Sequence, residues 1–191
     1  MHAFEELLAA LLERAEYWVR SSVKVELTKE EKRAIGRPSS PRWELDLLGY
    51  HAGRNELLIL ECKSYLDSDG VRLEDLSAVD GSTGGRYKLF TEPELLRVVS
   101  NRLVAQLLER GGCLPNPTVK LGLATGKIAS TTDRTALTRH FERNRWVLWT
   151  PEFIVGEIRR LADDGYDNSA AAMVAKLLLR SSAASAGALT V

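Results

Sequence analysis

The stretch LLILECKS, Leu57 to Ser64, reads as an apolar strand that ends on two charges. Side chains alternate faces along a strand, so Leu57, Ile59, Glu61 and Lys63 share one side while Leu58, Leu60 and Cys62 share the other. A glutamate and a lysine thus stand together on one face of a strand otherwise made for an interior. Just upstream, WELDLLGY (Trp43 to Tyr50) is a second such run, and HAGR separates it from NELLILECK (Asn55 to Lys63). Gly53 suits a short turn there, which predicts an antiparallel hairpin. Asp46 lies fifteen residues before Glu61, so the hairpin folds it nearly opposite Glu61, and Asp46, Glu61 and Lys63 converge.

Outward from the hairpin the period changes. Phe4, Leu7, Leu8, Leu11, Leu12 and Ala15 recur at helical spacing and predict a first helix over about residues 3 to 16. Val19, Val23, Val25 and Leu27 then fall in one phase, with Arg20, Ser22, Lys24 and Glu26 in the other, as in a half-buried strand. Thr28 to Arg42 is polar, basic and broken by Gly36, Pro38 and Pro41, so it reads as a surface excursion. A Gly- and Asp-rich loop follows the hairpin. Beyond it come a helix from about Pro93 to Glu109, a strand Thr118 to Ala124, a helix Asp133 to Asn144, a short strand RWVLWT and a helix opening at Pro151. A last helical run, Ala170 to Arg180, precedes small residues. This order predicts an α/β fold: a mixed central sheet flanked by helices on both faces. The expected layout is one domain over residues 1–181 and a loosely held tail over 182–191.

Composition narrows the function classes. The chain has 191 residues, 45% hydrophobic and 27% charged, enough for one domain with a proper core. Basic and acidic residues both number 26, so any nucleic-acid surface must be local. Cys62 and Cys113 give no disulfide framework and no metal-binding spacing, which favours a reducing, cytoplasmic setting. The first helix is interrupted by Glu5, Glu6, Glu13 and Arg14, so neither a signal peptide nor a membrane span is expected.

Three converging charges have a clear chemical use. Carboxylate oxygens from two residues hold a hard divalent cation such as Mg²⁺, or Mn²⁺ in its place, which keeps several waters and binds phosphate oxygens. A lysine alongside orients or deprotonates the attacking water and neutralises charge developing on phosphorus. The Cys62 main-chain carbonyl is positioned to complete the metal shell.

Asp46 followed by Glu61-Cys62-Lys63 on the next strand resembles the PD-(D/E)xK phosphodiesterase superfamily, the restriction-endonuclease-like fold. The resemblance spans roughly residues 3 to 150. It implies a metal-dependent nuclease acting on DNA, an endonuclease rather than an exonuclease, with Asp46, Glu61 and Lys63 catalytic and Asp46, Glu61 and the Cys62 carbonyl on Mg²⁺. An acid on the first helix assists in the family; Glu5 matches best by spacing, with Glu6 and Glu16 as alternatives. A helical glutamine recurs in some branches, and Gln106 is the accessory candidate. The family's proline before the aspartate is absent: Leu45 stands there. The resemblance also allows a homodimer and, with no separate DNA-reading segment in view, a targeting protein partner. The rival reading is a non-catalytic module of the same fold that binds nucleic acid or a protein.

Around the hairpin, Lys24, Arg37, Ser40, Arg42, Ser64 and Tyr65 are the expected phosphate track, which Arg86 and Lys88 would extend. Other signals fall away. GLATGKI (Gly122 to Ile128) has three residues between its glycines where a phosphate-binding loop has four, and Ile128 replaces the Mg²⁺-binding hydroxyl. His2, His51 and His140 share no ligand spacing. Trp43, Trp146 and Trp149 read as core.

Overall fold

The structure, a computed structural model, describes residues 3–39, 42–77, 86–165, 167 and 169–187. Five strands form one mixed sheet in chain order: β1 (Trp18–Val25), β2 (Trp43–His51), β3 (Glu56–Lys63), β4 (Thr118–Thr125) and β5 (Val147–Trp149). β1, β2 and β3 are antiparallel neighbours, and β4 and β5 continue in parallel with β3. The helices are α1 (Ala3–Arg14), α2 (Lys29–Ala34), α3 (Leu73–Ser77), α4 (Lys88–Thr91), α5 (Pro93–Glu109), α6 (Thr131–Asn144), α7 (Pro151–Asp163) and α8 (Ala170–Gly187).

The alternation read along β3 holds. Leu57 and Ile59 enter a core with Leu95, Val99 and Leu103 of α5 and Leu137 and Phe141 of α6. Leu58 and Leu60 enter another with Leu8, Leu11 and Leu12 of α1, Ile154 and Leu161 of α7 and Ala172 of α8. Two cores on opposite faces of one sheet make a three-layer α/β arrangement with β2 and β3 central. No described helix is long and apolar enough to cross a membrane.

Several expectations are corrected. The hairpin closes through a single 3-10 turn, Ala52–Arg54, in which His51 Nδ1 accepts from the Arg54 N–H. Asn55, not Gly53, takes the left-handed conformation, at φ 46°, which a short polar side chain tolerates. Within the stretch read as an excursion, α2 forms because Thr28 and Glu31 make a reciprocal capping box. Along β1 the single phase breaks. Val19 packs with the α1 core, but Val23, Val25 and Leu27 pack with the α5 core. The switch falls at Ser22, which has φ 51° and is skipped in the ladder opposite Asp46. A left-handed residue turns the strand over at that point. The final helix runs past Arg180 to Gly187, into the segment expected as a tail; residues 188–191 lie outside the described residues.

Candidate functional site

β2 and β3 pair with Leu47 opposite Leu60 and Leu48 opposite Ile59. The ladder ends there, and Asp46, the next residue of β2, reaches β3 through its side chain. Asp46 Oδ2 accepts the Cys62 N–H at 2.8 Å, so the carboxylate is pinned to the strand that carries its partners. Lys63 Nζ lies 2.5 Å from Glu61 Oε1 and 3.6 Å from Asp46 Oδ2. The three side chains retain 28% (Asp46), 18% (Glu61) and 19% (Lys63) exposure, so a ligand can reach them. Asp46 Oδ1 and Glu61 Oε2 take no hydrogen bond from described residues. Each strand therefore offers one uncommitted carboxylate oxygen.

Burial pushes the Glu61 carboxyl above its ordinary value; Lys63 pulls it down, while Asp46 and Glu5 push it up. Burial works against the Lys63 ammonium, but Glu61 and Asp46 outweigh it and hold Lys63 above its ordinary value. Lys63 is therefore a hydrogen-bond donor and a fixed positive charge at neutral pH. The Cys62 thiol is pushed up, first by burial and then by Asp46, Glu5 and Glu61. It packs beside the α1 core as a neutral group and donates toward the Leu60 carbonyl.

Two carboxylate oxygens from facing strands fit the donor chemistry of a hard cation that keeps most of its waters. Among the described residues no three His, Cys, Asp or Glu side chains form a metal-holding group. Glu5, 8% exposed on α1, is the third acid whose charge reaches Glu61 and Cys62. Glu6 is exposed, and Glu16 instead approaches His51 Nε2, at 3.6 Å, at the turn end of the hairpin.

The remaining predicted residues divide. Gln106 does not turn toward Lys63; its amide clamps β1, accepting from the Glu26 N–H at 2.7 Å and donating to the Lys24 carbonyl at 3.3 Å. Arg37 is bound at 2.7 Å to Glu92, and its guanidinium lies 5.7 Å from the Trp43 ring centroid, so it anchors the α2 loop to α5. Arg42 is exposed and 3.6 Å from Glu26. Ser40 lies outside the described residues. Lys24 and Ser64 are exposed.

Tyr65 takes φ 46°, a costly conformation for a bulky residue. Its hydroxyl accepts from that of Tyr87 at 3.5 Å. Tyr87, only 3% exposed, is a neighbour of the site that the sequence reading did not single out; its phenol is pushed up by burial and then by Tyr65. No spacing rule links residues 65 and 87, which meet only because the loop folds back. Gly126 has a packing reason instead: a Cβ there would lie 2.3 Å from the Ser64 carbonyl oxygen. Its N–H donates to the Lys63 carbonyl at 3.0 Å, so GLATGKI buttresses the end of β3. Trp43 and Trp146 pack on one core and Trp149 on the other.

No protein-family model, curated protein or solved structure matches the chain.

Proposed function

We propose that this protein is a metal-dependent nuclease of restriction-endonuclease-like fold that hydrolyses DNA phosphodiester bonds. One observation carries the reading: Asp46 and Glu61, on facing strands, each leave one carboxylate oxygen uncommitted beside the Lys63 ammonium. Two acids and a lysine at the open end of a hairpin have no packing use that an apolar trio would not serve at lower cost in desolvation. With a divalent cation bound, the cluster would carry a net positive charge and so complement the negative charge of a phosphodiester.

In this reading Asp46, Glu61 and the Cys62 carbonyl hold Mg²⁺ or Mn²⁺, and Glu5 assists. The ion supplies Lewis-acid activation of water and neutralises phosphate charge when bound. Lys63, held protonated, donates to the attacking water or to a non-bridging phosphate oxygen, and its charge offsets the negative charge that grows in the transition state. The Cys62 N–H fixes Asp46, so the carboxylate pair is set before substrate arrives. A DNA partner, an endonucleolytic mode, a homodimer, a targeting protein and a cytoplasmic location belong to the same proposal.

A second reading has its own observation. Lys63 already contacts both carboxylates, at 2.5 and 3.6 Å, as in a module that keeps the fold for binding alone. Cleavage of mixed linear, single-stranded and branched DNA with Mg²⁺ or Mn²⁺ separates the two. The nuclease reading expects cleavage by the native protein, lost in Asp46→Ala and Lys63→Ala while folding is kept. No cleavage of any substrate would transfer the assignment to the binding module.

A further inference from the structure

β1 is an edge strand, and between it and α5 runs a groove of about 200 Å³ lined in part by Arg20, Ser22, Lys24 and Arg110. Its lining holds one acid, Glu26, toward which Arg42 reaches at 3.6 Å. Arg20 and Arg110 make no ion pair with described residues. Arg37, Arg97 and Arg102 contrast with them: each holds a carboxylate, Glu92 at 2.7 Å, Glu94 at 2.5 Å and Glu31 at 2.9 Å. Arg37, Arg97 and Arg102 are thus neutralised, while Arg20 and Arg110 of the groove lining carry no ion-pair partner among the described residues. Like charges gathered without partners repel, and a polyanion relieves that repulsion.

A second observation selects the kind of polyanion. Trp18 is 73% exposed, more than any other exposed large hydrophobic residue described. It stands two residues before Arg20 on the same face of β1. An indole presented to water beside unpaired cations is the pairing that stacks a base and holds the adjoining phosphates. The bases of a duplex are already stacked on one another, so Trp18 discriminates in favour of a single strand. Ser22, in the groove lining, lies between Ser21 and Val23, which pair with Leu47 and Leu45 on either side of Asp46.

We propose that the β1 edge is a binding track for single-stranded nucleic acid, with Arg20 and Arg110 on the phosphates and Trp18 against a base. It deepens the nuclease reading and rests on it for the choice of a nucleic acid as the polyanion. The track replaces Arg37, which its partners hold elsewhere, as the phosphate contact.

The test is fluorescence anisotropy of a labelled oligothymidylate of about twenty nucleotides, with a matched duplex and inorganic polyphosphate as competitors, in EDTA so that binding is read without cleavage. The expected result is single-strand binding at least tenfold tighter than duplex binding, with quenching of tryptophan emission. Trp18→Ala weakens it about tenfold, and the Arg20→Ala/Arg110→Ala double variant flattens the salt dependence by about 1.4 in log–log slope. Arg97→Ala, on a paired arginine, changes neither. Equal affinity for duplex, equal competition by polyphosphate, or native affinity in the groove variants overturns the proposal. Single-strand binding at the groove without any Mg²⁺- or Mn²⁺-dependent cleavage would sink the nuclease reading and leave the track standing. Cleavage with native binding by the groove variants would do the reverse.

Discussion

Glu56 and Glu61 stand on the same strand at opposite ends of one hairpin, and their surroundings differ in kind. At the turn end Glu56 is 7% exposed and fully engaged: Tyr17 donates to Oε1 at 2.5 Å and Lys120 reaches Oε2 at 2.7 Å. Burial pushes its carboxyl up, but Lys120 and Tyr17 outweigh that and hold it below its ordinary value. At the open end Glu61 meets Lys63 through one oxygen only, and its carboxyl is held above its ordinary value. The neighbours carry the same contrast. The Tyr50 hydroxyl donates to Asn55 Oδ1 and accepts the Leu114 N–H, closing the turn end. Tyr65, at the open end, holds a strained backbone instead. A buried charge with every oxygen bonded is structural, whereas one with an oxygen left over is set up for something else.

Substitution should separate the two ends, most strongly in catalysis. Glu61→Gln is expected to lower cleavage at least ~100-fold while stability stays within about 1 kcal/mol of native, because it removes a buried charge that is only half satisfied. Gel cleavage and thermal unfolding on the same preparation check both halves. If Glu61→Gln instead unfolded the protein as readily as a change at Glu56, the contrast would collapse. Glu56→Ala is expected to cost about 2 kcal/mol in urea unfolding, since it strands the Tyr17 hydroxyl, while the partly exposed Lys120 keeps water. Cleavage per folded molecule should be native.

The pH dependence sharpens the difference. Glu56 has its folded-state carboxyl below the ordinary value of 4.5, so its stabilisation is complete above that value and is lost as the pH falls through the lower, folded-state one. Native stability should therefore decline more steeply with acid than that of Glu56→Ala when unfolding is followed from about pH 6 to about pH 3. Parallel declines would contradict the assignment. The smallest effect is expected for Tyr17→Phe, about 1 kcal/mol, because Lys120 still compensates Glu56; a denaturation midpoint at the native value would remove Tyr17 from the network.

The open end was legible in the sequence because it depends on local rules. The alternation of Leu57 to Lys63 and the short turn fix which residues of β2 and β3 face each other as far as Leu47 and Leu60, and Asp46 follows next in the chain. The Thr28/Glu31 capping box was also written locally, in the spacing TKEE, though the prolines beyond it drew the segment toward a loop reading. Other features depend on contacts made across the fold. Arg37 meets Glu92 and Gln106 meets Lys24 and Glu26 only once α5 lies across β1. Ser22 inverts the face of β1 without a glycine to signal it. Trp18 sits in a strand pattern like the other tryptophans, and only the sheet order reveals that its strand is an edge.

If the proposed site is right, the open end of the hairpin takes up a divalent cation and the turn end does not. Calorimetric titration of Mn²⁺ into the native protein and into Glu61→Gln tests it directly. One site per chain is expected in the native protein, lost in Glu61→Gln with the fold intact. No Mn²⁺ binding by the native protein, or binding undiminished in Glu61→Gln, would contradict it.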